Sequence, residues 1–162
     1  MGWWTRLAPS TALFIALLGT PSAAAASGPA IQAELDGEPI SAVDAGDYYC
    51  HDLSFPLITC FSSASSLEAS VAGTQAFASV YVTVYSGATY TGAYAHLSED
   101  YDGLWTIGWN DSVSSFVGRN GESGRFFVDW YEGGDRYDFC CNAEVSYLGS
   151  YDDTFSSVYR GT

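Results

Sequence analysis

Two six-residue stretches carry the residue types most able to do chemistry: Asn110–Ser115, "NDSVSS", and Asp152–Ser157, "DDTFSS". Both have the form (N/D)(N/D)-x-x-(S/T)-S, and both follow an apolar run and a glycine-marked turn. Calcium is a hard cation that takes about six to eight oxygens at roughly 2.3–2.6 Å, from carboxylate, amide, hydroxyl and backbone carbonyl alike. Each hexad offers that mixture. Asp111 and Asp153 supply charge, Ser114 and Ser156 supply hydroxyls, and Ser112 and Thr154 sit where a backbone carbonyl can turn inward. Asn110 and Asp152 either ligate or brace the turn by bonding neighbouring backbone groups. One loop has too few ligands for a closed site, so two loops must cooperate or water must complete the shell. Asn, Asp and Ser also favour turns that bind nothing; the duplication argues against that simpler explanation.

The elements that position the hexads are repeated too. In the first copy "VTVYSGATYTG" leads through "LWTIGW" to "NDSVSSFV"; in the second "FVDWYEGGDRYDF" leads through "EVSYLGSY" to "DDTFSSVY". Each copy predicts an aromatic hairpin with glycine in its bend, an apolar strand, the hexad and a closing strand. Four strands per copy is the size of a Greek key. Elsewhere "VYVTVY" alternates with period two, and "SFVG", "RFFVDWY" and "RYDFCCNAEVSYLG" are further β-prone runs. Short strands at close spacing with glycine turns predict an all-β sandwich, and 16% aromatic residues suit a thin two-sheet core.

Tyr85-x4-Tyr90-x-Gly92, followed by the hexad, resembles the Greek-key signature of the βγ-crystallins, in particular their microbial calcium-binding members. The resemblance covers residues 79–162. It implies a double Greek-key sandwich of about eight strands, divided near 79–120 and 121–162, with calcium as the cofactor. It also implies that the paired loops exchange ligands to build two sites. A carbonyl after each hairpin aromatic adds to them, which on this resemblance falls at Ser86 and Glu132. The second hairpin departs from the signature: Tyr131 and Tyr137 are five residues apart, and Phe139 stands where the family has glycine. With one or two formal negative charges per site, the expected affinity is micromolar or weaker.

Before the repeats the chain has three segments. Residues 1–26 carry an arginine, an apolar stretch and the small residues "SAAAA", as expected for a secretory leader cleaved after Ala26. Residues 27–46 lack sustained periodicity and predict a linker or loosely docked arm. Residues 47–78 predict a hairpin, with Cys50 and Cys60 facing each other across a Ser-Phe-Pro turn, then a short helix capped at Ser65-x-x-Glu68. Export places the four cysteines in an oxidising compartment, where a Cys50–Cys60 disulfide is expected. Cys140 and Cys141 either bridge as neighbours or stay free. His51 and His96, each without a metal-binding partner pattern, suggest polar surface or edge positions.

Charge excludes several functions. The chain has 19 acids against 5 basic residues, all arginine, for a net charge of −14. Nucleic acids and anionic membranes need a basic patch, so neither is an expected partner, and no membrane association is expected after leader cleavage. No nucleophile elbow, metalloprotease histidine pair or phosphate-cradling loop is present, so the sequence predicts a non-enzyme. The leading expectation is a secreted, calcium-stabilised protein whose partners are calcium ions. The alternative is a secreted peptidase inhibitor that presents the apolar hairpin tip "LSFPLI" to a peptidase.

Overall fold

The computed structural model describes residues 1–2 and 30–161. The leader expected at 1–26 and the start of the expected linker therefore lie, beyond Gly2, outside the described residues. Hydrophobic alternation and glycine turns produce strands β1 (Gln32–Leu35), β2 (Glu38–Ile40), β3 (Tyr49–Ser54), β4 (Leu57–Phe61), β5 (Val82–Gly87) and β6 (Thr91–Leu97). They continue with β7 (Ser115–Gly118), β8 (Gly124–Phe127), β9 (Arg136–Phe139), β10 (Glu144–Val145) and β11 (Ser157–Arg160). A single α-helix is described, α1 (Ala64–Val71). One sheet has the order β10-β7-β5-β6-β3-β4-β1-β2, and a second has the order β11-β8-β9.

Two Greek keys lie within this arrangement. In the first, β5 pairs antiparallel with β6 and with β7; in the second, β8 pairs antiparallel with β9 and with β11. The remaining segment of each key crosses to the other sheet. β10 of the second key pairs with β7 of the first, while Tyr101 of the first key bridges Val158 in β11 of the second. Neither key is complete without its twin. Between them lies an aromatic core in which Phe126 stacks on Phe155 at 4.7 Å and Phe116 meets Phe126 at 5.1 Å. Fully burying each such ring stabilises the fold by about 2 kcal/mol.

Several expectations change. Of the expected linker at 27–46, residues 31–46 are instead part of the fold. β1 pairs in parallel with β4 and antiparallel with β2, and a 3-10 segment from Ala42 to Asp47 packs on the residues from Leu104 to Ile107. The backbones there approach so closely that a Cβ on Gly46 would strike the Gly108 carbonyl, and one on Gly108 the Val43 carbonyl. Glycine is required at both positions. β3 in turn pairs in parallel with β6, so the disulfide hairpin extends the first key's sheet. Ala33, Ala45, Cys50, Ile58 and Cys60 belong to the same apolar cluster as Phe116 and Phe155.

The expected "LWTIGW" strand is a 3-10 turn at Leu104–Ile107, ended by left-handed Gly108 (φ 74°). The cap of α1 is Ser63, whose hydroxyl accepts from the Ser66 amide, two residues before the expected Ser65. Cys50 and Cys60 are joined, opposite each other in the β3–β4 register, and Cys140 is joined to Cys141. Of the "LSFPLI" tip, only Ser54 and Phe55 are exposed. The Pro56 carbonyl accepts from the Gln32 amide, and the Phe55 ring meets Tyr101 edge-on at 6.3 Å.

Asp52 in β3 fastens the hairpin to the first key. Its buried carboxylate accepts from the Ser98 amide and hydroxyl, both at 2.7 Å, the Glu99 amide at 3.1 Å and the Tyr101 hydroxyl at 3.0 Å. Burial pushes its pKa up, against those hydrogen bonds, and the same burial beside Asp52 pushes the Tyr101 phenol up. His96 is also buried rather than at the surface. It lies opposite Thr83 in the β5–β6 register, its Nδ1 is 2.9 Å from Thr83 Oγ1, and Phe77 stands edge-on over its ring at 5.0 Å. The Arg119 guanidinium donates to the same hydroxyl at 2.8 Å. Burial holds the His96 pKa down to about 4, although nearby Glu68 favours the charged form.

Candidate calcium site

The hexads form two loops that clasp each other. The Asp111 amide donates to the Phe155 carbonyl at 2.9 Å, and the Asp153 amide donates to the Val113 carbonyl at 3.1 Å. Val113 and Phe155 are fully buried, so the apolar residue between acid and hydroxyl anchors each loop in the core. Asp111 (φ 51°) and Asp153 (φ 52°) both occupy the left-handed region, which short polar side chains tolerate better than most. This turn lifts each carboxylate out of its own loop and toward the other.

The side chains then pair reciprocally. The Ser114 hydroxyl donates to Asp153 Oδ1 at 3.0 Å, and the Ser156 hydroxyl donates to Asp111 Oδ1 at 3.3 Å. Both serine side chains are nearly buried while both aspartates are exposed. The last serine of each hexad has a structural role. Ser115 donates to the Gly87 carbonyl at 2.7 Å and Ser157 to the Asp129 carbonyl at 2.8 Å, tying each loop to its own hairpin.

These ties also fix the register between the two hairpins. The Ser114 amide bonds the Tyr85 carbonyl and the Ser156 amide bonds the Phe127 carbonyl. Thr89 and Tyr90 are left-handed in the first hairpin, as Tyr131 and Glu132 are in the second, and Gly92 and Gly134 have φ 80° and 73°. The second hairpin therefore follows the first as Phe127-x4-Glu132-x-Gly134. The expected Tyr131/Tyr137/Phe139 alignment is out of register, and Glu132 is the counterpart of Tyr90. The counterpart of Ser86 is Val128, which the sequence comparison missed because an acid replaces the second aromatic. Val128 lines an open depression with Asn110, Asp111, Asp153 and Ser156, and Glu132 does not.

Asn110 and Asp152 differ. Asn110 donates to Asp111 Oδ2 at 2.8 Å and accepts from the Trp130 indole at 3.2 Å, which makes it a brace. Asp152 Oδ1 is shielded from solvent and, among the described residues, has no donor. Ser112 and Thr154 fold back onto their loops, their hydroxyls donating to the Asn110 and Tyr151 carbonyls at 3.0 and 2.9 Å. Among the described residues no three His, Cys, Asp or Glu side chains group as a metal cluster. The donor set is instead carboxylate, hydroxyl and carbonyl, the chemistry of a hard cation and not of zinc or copper.

No protein-family model matches the chain, and no curated protein matches it. Solved structures similar to it include a βγ-crystallin from an Archaea, at 25% identity over 51% of this chain and 98% of that one, TM-score 0.46. Another is a βγ-crystallin domain from Flavobacterium johnsoniae, at 29% identity over 51% and 94%, TM-score 0.45. A third is a βγ-crystallin from Ciona intestinalis, at 24% identity over 49% and 98%, TM-score 0.46. The deciding observation lies within the chain: two Greek keys exchange one segment each and carry the hexad at equivalent places. The second half of the chain has a βγ-crystallin-like double Greek-key fold. In this half the hexads are built alike, while the hairpins above them differ. Tyr85, Tyr90 and Tyr94 pack ring on ring above the first, whereas Trp130 and Tyr131 project into solvent beside the second.

Proposed function

We propose that the protein is an exported βγ-crystallin-type calcium binder in which the ion stabilises the fold and no reaction is catalysed. The observation that carries this reading is the reciprocal pairing of Ser114 with Asp153 and of Ser156 with Asp111. Each pair brings a carboxylate and a hydroxyl together from different loops. One site then takes Asp153 and Ser114, with Ser86 on its hairpin; the other takes Asp111 and Ser156, with Val128 on its hairpin. Asp152 Oδ1, shielded and without a donor among the described residues, is a further candidate acceptor. Bound calcium would supply positive charge where the loops bring acids together, in a chain already at −14. Export is supported by the Cys50–Cys60 bridge and the leader-like first 26 residues. Among the described residues no helix is long and apolar enough to cross a membrane.

Calorimetry and melting curves with calcium and with magnesium test the reading. At free calcium one hundred times Kd, each independent site adds about 2.7 kcal/mol, so the Tm should rise by several degrees. Magnesium should do far less, because it sheds water reluctantly and demands near-octahedral geometry. Equal responses to both ions, with an Asp111→Ala, Asp153→Ala double variant behaving as the parent, would leave the hexads as turns only.

A further inference from the structure

Apart from the hexads, the most unusual surface is aromatic. Phe55, Trp105, Trp130 and Tyr131 are among the few large apolar side chains exposed, and they lie together. The Trp105 and Trp130 rings are 6.4 Å apart, and the Tyr131 amide bonds the Asp102 carbonyl at 2.9 Å. Phe55, Trp105 and Tyr131 line one groove with Ile31, Asp100 and Asp102. Clustered exposed rings of this kind mark an interaction surface rather than chance exposure.

The groove's chemistry selects among partners. Among the described residues no lysine, arginine or histidine lines it. Asp100 Oδ1 accepts from the Arg160 amide at 2.7 Å and Asp102 Oδ1 from the Tyr159 hydroxyl at 2.6 Å, and among the described residues neither Oδ2 has a donor. The walls thus offer ring faces, open carboxylate acceptors and, at the Trp105 indole and the Tyr131 hydroxyl, neutral donors. A neutral sugar stacks on such rings too, but it has no charge to meet two carboxylates on a chain at −14. A guanidinium is all donor, stacks on aromatic faces and forks onto carboxylates, which matches these walls and the chain's negative charge.

We propose that the groove between Phe55, Trp105 and Tyr131, walled by Asp100 and Asp102, docks an arginine-bearing segment of a partner protein. The guanidinium lies over the rings and its N–H groups reach the two carboxylates. The groove shares Tyr131 with the depression that holds Asp111 and Asp153, but Asp100 and Asp102 are not among the paired Asp–Ser ligands, so the proposal does not rest on calcium binding.

The test is a tryptophan-fluorescence titration of the purified protein with an Arg-Gly repeat peptide, a Lys-Gly repeat peptide and cellohexaose. The arginine peptide should bind saturably and more tightly than the lysine peptide, and binding should weaken with salt. Trp105→Ala, which leaves the charge unchanged at an exposed position, should weaken it roughly tenfold with an unaltered melting curve. Asp102→Asn should weaken it several-fold, while Asp153→Ala should leave it as it is. Peptide binding that is indifferent to Trp105→Ala would reduce the effect to general surface charge and overturn the proposal. So would an absence of peptide binding, or a Trp105-dependent response to cellohexaose alone.

Discussion

The two Greek keys share a backbone but not a setting. Beside the first, β6 continues into β3, β4, β1 and β2, and Asp52 locks that extension with four hydrogen bonds. Beside the second, β9 is the last strand of a three-stranded sheet, and the hairpin exposes Trp130, Tyr131 and Glu132. One key is buttressed and the other is open. The hexad loops sit on the shared framework and are alike, while the hairpins differ, packed in one case and open to solvent in the other. A duplicated unit can thus keep one loop geometry in both copies and set the remaining surface differently in each.

The largest expected effect comes from breaking the buttress. Asp52→Ala leaves the Tyr101 hydroxyl and two amides without their acceptor and should cost about 3 kcal/mol or more, read in urea melts. Hydrogen exchange should accelerate in β3 and β4 first; uniform acceleration over both keys would show that the extension is not a separable support. Next come the two bridges. Cys50–Cys60 closes a buried cross-strand loop, and replacing both cysteines with serine should cost roughly 2–3 kcal/mol. The Cys140→Ser, Cys141→Ser pair, adjacent and exposed in the open key, should shift the Tm very little, because a bridge between neighbours closes almost no chain.

Acidification should weaken the buttressed key selectively. His96 is neutral in the fold, with its pKa held down to about 4 by burial. The unfolded chain takes up a proton first, near 6.5, so this stability is full above that pH and is lost as pH falls toward 4. His51, also held down by burial, adds the same sign; Asp52, pushed up by burial, acts oppositely by favouring the fold as it protonates. The net loss should be roughly 2 kcal/mol, measured by denaturant melts from pH 7 to 4, and His96→Gln should flatten it. An unchanged slope in that variant would mean that other groups carry the acid response.

The smallest contrast lies between the loops themselves. Asp111→Ala should remove the site shared with Ser156, and Asp153→Ala the site shared with Ser114. Calorimetric stoichiometry should fall from two ions to one in each variant. Retention of both ions in either variant would show that the serine–aspartate pairs are not the ligand pairs.

Local features were legible in the sequence and distant ones were not. The hexads, the period-two strands and the Cys50–Cys60 hairpin declare themselves within a few residues. β1 and β2 did not, because "QAEL" and "EPI" are short and half-exposed and become strands only by pairing, β1 with β4 and β2 with β1. His96 looked like a surface residue because its cover, Phe77, comes from a 3-10 turn that carries no periodic signal. The second hairpin misled through its own tyrosines. With Glu132 in an aromatic's place, Tyr131 and Tyr137 offered a false match that only hydrogen bonds to the hexad serines correct.

The short outermost strands bear on how this protein behaves at high concentration. An open strand edge invites another chain to pair with it and begin aggregation. β2 ends the large sheet with three residues, of which Glu38 is charged and Pro39 has no amide hydrogen to donate. At the opposite margin β10 has two residues and presents Glu144. On the small sheet, β9 exposes Arg136 and Asp138, 3.1 Å apart. These three margins are too short, too charged or too poor in donors to template a neighbour, and the fourth, β11, is partly covered by its bridge to Tyr101, so crowding need not drive these sheets to join edge to edge.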